Sequence, residues 1–181
     1  MWLTWARGKE RSNSYDLLSQ FGWRGILIEA NPALIPSIKV AFANLDAQVI
    51  QCAISDYSGM AILHLGVNDD VSSLQPDYAA GWGQIQGKQE VAVRRLGDLL
   101  LEQNIPLDFD LLSLDIEGED IKVLNDTIGT FHYRPRWIII EASFDFSTTS
   151  LSQQPFSPLV RGLYKIVEQT RANLVLGMID R

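Results

Sequence analysis

Apolar residues run along this chain in short dense blocks closed by a carboxylate, with helical spacing between the blocks. Gly25-Ile26-Leu27-Ile28-Glu29 is apolar at odd and even positions alike and then abruptly acidic, the pattern of a strand buried on both faces. Leu111-Leu112-Ser113-Leu114-Asp115 and Trp137-Ile138-Ile139-Ile140-Glu141 repeat it, the second introduced by Pro135. Val49 to Ile54 reads as a further strand closed by Ser55-Asp56, and Met60 to Leu65 and Val91 to Val93 as short ones. Helices are expected from Pro36 through about Asn44, from Leu96 to Gln103 with a break at Asn104-Ile105-Pro106, from Glu119 to Asn125, and near Leu159 to Tyr164. Lys165 to Gln169 and Leu174 to Met178 close the chain as two strands around a turn at Ala172-Asn173. Strands alternating with helices predict an α/β fold with a mostly parallel sheet. Gly66 to Gly87 is polar and glycine-containing, the pattern of a lid, and Ser147 to Gln154 forms a second polar loop.

Composition narrows the classes of function. A length of 181 residues suits one domain spanning 1–181, and 46% hydrophobic with 20% charged residues suits a globular one. Lys plus Arg is 15 against 22 Asp plus Glu, a net charge of −7 with no basic stripe, which argues against a nucleic-acid partner. Cys52 is the single cysteine and His64 and His132 are the two histidines, so neither a disulfide nor a zinc centre is expected, and no metal is assigned. No apolar run approaches the roughly 20 residues that cross a bilayer. The opening Met1 to Ala6, followed by Arg7, is too short for a signal peptide, so a cytoplasmic protein is expected.

The candidate chemistry lies at strand ends. Glu29, Asp115 and Glu141 each finish a strand, and Asp56 follows one after Ser55. Ligands of open parallel sheets bind in the crevice outside those carboxyl ends. The plainer reading is that strand ends are wet and that acids there favour the helices that follow. Glu29, in Glu29-Ala30-Asn31-Pro32, can offer two acceptor oxygens to the two hydroxyls of a ribose. Asp56 can accept from an adenine amino group, although Ser55-Asp56 equally suits a local turn. Glu29, Asn31, Ser55 and Asp56 are thus the candidate cofactor residues. Asp115-Ile116-Glu117-Gly118 places two acids one residue apart, with Gly118 permitting a sharp turn. That pair suits a divalent ion or a substrate hydroxyl; alternatively Glu117 caps the next helix. Ser72-Ser73-Leu74 is a weak ligand-contact signal. Tyr78 and Trp82 either line a substrate pocket or anchor the loop, and both histidines read as structural.

In order and wording these segments resemble the FkbM family of methyltransferases. The resemblance rests on Ser12 to Tyr15, Phe21 to Pro32 with its Gly-Trp-Arg-Gly block, Ala53 to Asp56 with Ser58-Gly59, and Ser72 to Leu74. It continues through Val93 to Leu100, Asp110 to Leu124 with its Asp-Ile-Glu-Gly block, Pro135 to Glu141, and Gly162 to Gly177. It implies a Rossmann-like class I methyltransferase sheet, mostly parallel with an antiparallel C-terminal strand, and S-adenosylmethionine as cofactor. Glu29 would hold the ribose, Asp56 would lie near the adenine, and Asp115 and Glu117 would border the transfer site as catalytic residues. The implied reaction is O-methylation of a hydroxyl on a sugar, glycan or secondary metabolite, so the partner is a small-molecule or glycan acceptor. One stretch departs from the pattern. Residues 1–11 carry Gly8 alone, with Lys9-Glu10-Arg11 where small residues belong, so the first strand and its glycine-rich loop are expected to be missing or degraded, with Trp2-Leu3-Thr4-Trp5 as a substitute strand that lacks the acid and glycines that should follow it. A non-catalytic binding module that has lost the cofactor loop is the alternative. A nicotinamide-dependent oxidoreductase is disfavoured, since no G-x-G-x-x-G follows a strand.

Overall fold

A computed structural model describes residues 2–5, 15–66, 72–81, 83–141, 151, 155–170 and 173–179. The strands are β1 (Trp2–Trp5), β2 (Gly25–Glu29), β3 (Ala47–Gln51), β4 (Ala53–Ser55), β5 (Gly59–Leu65), β6 (Ser72–Ser73), β7 (Gly87–Arg95), β8 (Leu111–Leu114), β9 (Trp137–Glu141), β10 (Tyr164–Gln169) and β11 (Asn173–Met178). The helices are α1 (Tyr15–Phe21), α2 (Ile35–Ala41), α3 (Pro76–Gly81), α4 (Leu96–Glu102), α5 (Asp120–Gly129) and α6 (Pro158–Leu163). The fold is mixed α/β with two sheets: a seven-stranded one ordered β10-β11-β9-β8-β1-β2-β3, and a four-stranded one ordered β4-β7-β5-β6. In the larger sheet β9, β8, β1, β2 and β3 are parallel, while β11 runs antiparallel to both β9 and β10. No described helix is long and apolar enough to cross a membrane.

Alternation along the strands explains the layers. Successive side chains of a strand point to opposite faces, so Ile26 and Ile28 join one core while Leu27 joins another. On the first face Ile26, Leu112, Leu114, Ile138 and Ile140 pack against Leu99 and Leu100 of α4, Val123, Leu124 and Ile128 of α5, and Val160 of α6. On the second face Leu27 meets Leu18 of α1, Ile38 of α2, and Phe42. Each such fully buried side chain contributes about 2 kcal/mol of burial free energy. Local chemistry starts the helices: Pro36 lies in the first turn of α2, and the Ser157 hydroxyl accepts the Val160 amide at the start of α6 (3.2 Å).

Four expectations are corrected. The predicted strand Val49 to Ile54 is two strands in different sheets. Cys52 donates its amide to the Glu29 carbonyl (3.1 Å), and beyond it the chain leaves β3 to pair with β7. The strand expected at Val91 to Val93 is the apolar centre of the longer β7, whose flanks Lys88 to Glu90 and Arg94-Arg95 are polar. The Gly66 to Gly87 stretch contains β6 and α3, with 67–71 and Trp82 outside the described residues. The first strand, expected to be missing or degraded unless Trp2 to Trp5 supplied a substitute, is present: Trp2–Trp5 lies between β2 and β8, with Trp5 opposite Ile28 and Leu3 opposite Leu112. The loop after it, with the Ser12 to Ser14 segment, lies outside the described residues, as do the Ser147 to Gln154 loop apart from Leu151 and the turn residue Ala172.

Candidate functional site

Parallel strands deliver their carboxyl ends to one edge of a sheet, so β2, β8 and β9 carry Glu29, Asp115 and Glu141 to the same rim. One strand, β1, separates β2 from β8, so Glu29 and Asp115 sit roughly 10 Å apart across the sheet from strand spacing alone. Glu29 is buried, 1% exposed, and its Oε1 accepts the Asn31 amide at 2.7 Å. That differs from two oxygens both turned outward. Asn31 is buried too, and its Oδ1 accepts the Ala33 amide at 3.0 Å in a turn that leads into α2. The sequence-predicted pair therefore shapes its own turn at this rim.

Ser55 and Asp56 reach the rim from the smaller sheet. The Ser55 hydroxyl donates to Glu119 Oε2 (2.6 Å) and lies 3.3 Å from Asp56 Oδ1. Lys122 Nζ bridges Glu119 Oε2 (2.5 Å) and Asp56 Oδ1 (3.1 Å), and Gln75 Nε2 donates to Glu119 Oε1 (2.7 Å). Desolvation opposes ionisation of Asp56 and Glu119. The hydrogen bonds and charge of Lys122, with help from Ser55 at both acids and from Gln75 at Glu119, nonetheless hold both below the usual carboxylate range. Glu119, Lys122 and Gln75 were missed as site residues. The signal was there in the i, i+3 acid–base spacing of Glu119 and Lys122, but their link to Ser55 is 64 residues long.

The Asp-Ile-Glu-Gly loop is gripped from two sides. Asp120 accepts the Ile116 amide on Oδ1 (3.0 Å) and the Gly118 amide on Oδ2 (3.3 Å). Ser73 Oγ donates to the Glu117 carbonyl (2.7 Å), and Gln75 Nε2 lies 3.2 Å from the Gly118 carbonyl. Glu117 and Gly118 take φ of 55° and 103°, the left-handed side of backbone space that costs a non-glycine residue such as Glu117 about 1 kcal/mol or more. The capping reading of Glu117 gives way here. The N-cap of α5 is Glu119, with no side-chain cap bond, and the buried Glu117 carboxylate instead gathers with Asp115 and Glu141, acceptor oxygens of all three lying within 4.8 Å of one another. Burial, then the charges of Asp115, Glu117 and Asp120, push Glu141 up to about 8. Burial chiefly, with the Asp115 charge, lifts Asp120 to about 7 against the pull of its amide donors. Near neutral pH Glu141 therefore keeps its proton beside Asp115 and Glu117.

The chain matches the family model of the methyltransferase FkbM domain over residues 6–157. It belongs to the FkbM family. Comparisons with curated proteins and with solved structures find no match.

The span matched by the FkbM domain contains every rim acid: Glu29, Asp56, Asp115, Glu117, Glu119 and Glu141. It also contains a cavity of 460 Å³ lined by Arg24, Asp46, Gln48, Gln103, Asn104 and Pro106. That cavity opens beside the amino ends of β2 and β3, the edge of the sheet opposite the acids. Among the described residues, the carboxyls whose values are raised, Asp120 and Glu141, lie at the acidic rim and not beside this hollow.

Proposed function

We propose that this FkbM-family chain is an S-adenosylmethionine-dependent enzyme that methylates a hydroxyl on a sugar, glycan or other secondary metabolite. The observation that carries the reading is the gathering of Asp115, Glu117 and Glu141 at the rim where Glu29 ends β2. The strand order supports a Rossmann-like sheet, since the crossovers reverse direction between β1 and β8 and ligands of doubly wound sheets sit at that switch point. The donor set fits the cofactor: a buried acid at the end of β2 suits ribose hydroxyls, and Ser55-Asp56 at the end of β4 suits an adenine. When bound, S-adenosylmethionine supplies an electrophilic methyl carried on a sulfonium.

The protein's own residues supply orientation and proton transfer. Asp115 would accept a hydrogen bond from the acceptor hydroxyl, align its oxygen, and hold the proton that the hydroxyl gives up. Glu141, protonated near neutral pH, keeps the cluster from carrying three full negative charges. Calorimetry with S-adenosylhomocysteine tests the reading. Micromolar binding that weakens about tenfold or more in Glu29→Gln supports the enzyme, since a lost hydrogen bond to a carboxylate is worth about 1.5–3 kcal/mol. No heat at high concentration would instead support a binding module without the cofactor.

A further inference from the structure

The geometry points to Tyr78 as a positioning residue of the acid cluster, its ring locked on Gly118 and its hydroxyl held against Glu141. The inference rests on the methyltransferase reading above and extends the site to the segment 72–81. Ser73 and Gln75 bind the carbonyls of Glu117 and Gly118, so α3 sets out from a fixed point on the catalytic loop. Tyr78 lies in the first turn of α3 and lays its ring over Gly118, where a Cβ would come within 2.9 Å of the ring carbon Cδ2. Only glycine leaves that space open, and only glycine takes φ of +103° without strain. With the ring pinned there, the phenolic hydroxyl lies 3.4 Å from Glu141 Oε2 and donates to it.

The target of that bond matters. Asp115 and Glu117 are held by their own loop, whose backbone is clamped by Asp120, Ser73 and Gln75. Glu141 comes from β9, and Tyr78 couples it to the segment that grips the loop. The hydroxyl thus ties Oε2 of Glu141 to α3 and orients that carboxyl within the cluster. A Tyr78 that merely anchored α3 would act through its ring alone.

Tyr78→Phe separates the two roles, since it keeps the ring and deletes the hydroxyl. In protein labelled with carbon-13 at glutamate carboxyls, the Glu141 resonance is assigned by its loss in Glu141→Gln. Tyr78→Phe is expected to shift that resonance by more than its line width, and Glu141→Gln to shift the Tyr78 ring resonance in return. Melting temperature and S-adenosylhomocysteine affinity, read on the same samples, are expected to stay within about twofold of the parent for binding and unchanged for melting. Unmoved Glu141 and Tyr78 resonances would overturn the proposal. The carboxyl readout needs no turnover, so failure of S-adenosylhomocysteine to bind the parent would sink the enzyme reading while Tyr78 is still judged on its own.

Discussion

The acidic rim has two ends that use the same side-chain chemistry in opposite ways. At the β4 end, Asp56 and Glu119 share Lys122, and both carboxyls are held below their ordinary values. At the β8–β9 end, Asp115, Glu117 and Glu141 are turned on one another, and Glu141 rises to about 8. Charge paired with charge makes a clamp, which joins the smaller sheet to α5. Carboxyls crowded together hold a proton at the pH where a base or donor works best. The difference teaches that acidity along a rim is no guide to chemistry; the partner of each acid decides whether it stays charged or holds a proton.

Asp115→Asn should break the contrast most severely. It removes the proposed base while keeping size and shape, so methyl transfer from radiolabelled S-adenosylmethionine to a panel of glycan acceptors should fall about a hundredfold or more. Binding of S-adenosylhomocysteine should persist; turnover equal to the parent would take Asp115 out of the mechanism.

Lys122→Met attacks the clamp end. It strips the shared cation from the buried Glu119, whose side chain is 7% exposed, while the Lys122 side chain is itself 45% exposed. The loss is therefore discounted to about 1–2 kcal/mol, read as a drop of several degrees in melting temperature at neutral pH. Because Glu119 and Asp56 are lowered in the fold, their contribution is present above the usual carboxylate range and fades as pH falls through it. Parent and variant melts should thus converge in acid. A gap that stays constant with pH would mean the lysine stem, not its charge, does the holding.

Glu141→Gln sharpens the other end with the smallest effect. Glu141 is raised in the fold from 4.5 to about 8, so its contribution is complete below pH 4.5 and is lost as pH climbs toward 8. A glutamine cannot ionise, so the variant should melt higher than the parent at pH 8.5, with the advantage vanishing near pH 4.5. Equal melting across that window would show that the cluster carries no raised carboxyl.

The amino-acid sequence by itself determined three central strands of the larger sheet, β2, β8 and β9. Gly25–Glu29 and Trp137–Glu141 carry boundaries in their own residues, because a run apolar on both faces fits only a covered strand and the acid ends it. It also carried Glu29, Asp115 and Glu141, since each ends its strand or follows it directly, and the turn at Gly118. The smaller sheet was less legible. β7 mixes polar residues into all but its centre, and the continuous run from Val49 to Ile54 gives no local sign that the chain changes sheets at Cys52. Tertiary structure alone decided what the acids do. Whether Glu119 meets Lys122 and Ser55, or Glu141 meets Asp115 and Tyr78, depends on contacts up to 64 residues apart. Periodicity reports how one segment meets water, whereas a carboxyl's charge state depends on burial and on neighbours that other segments bring to it.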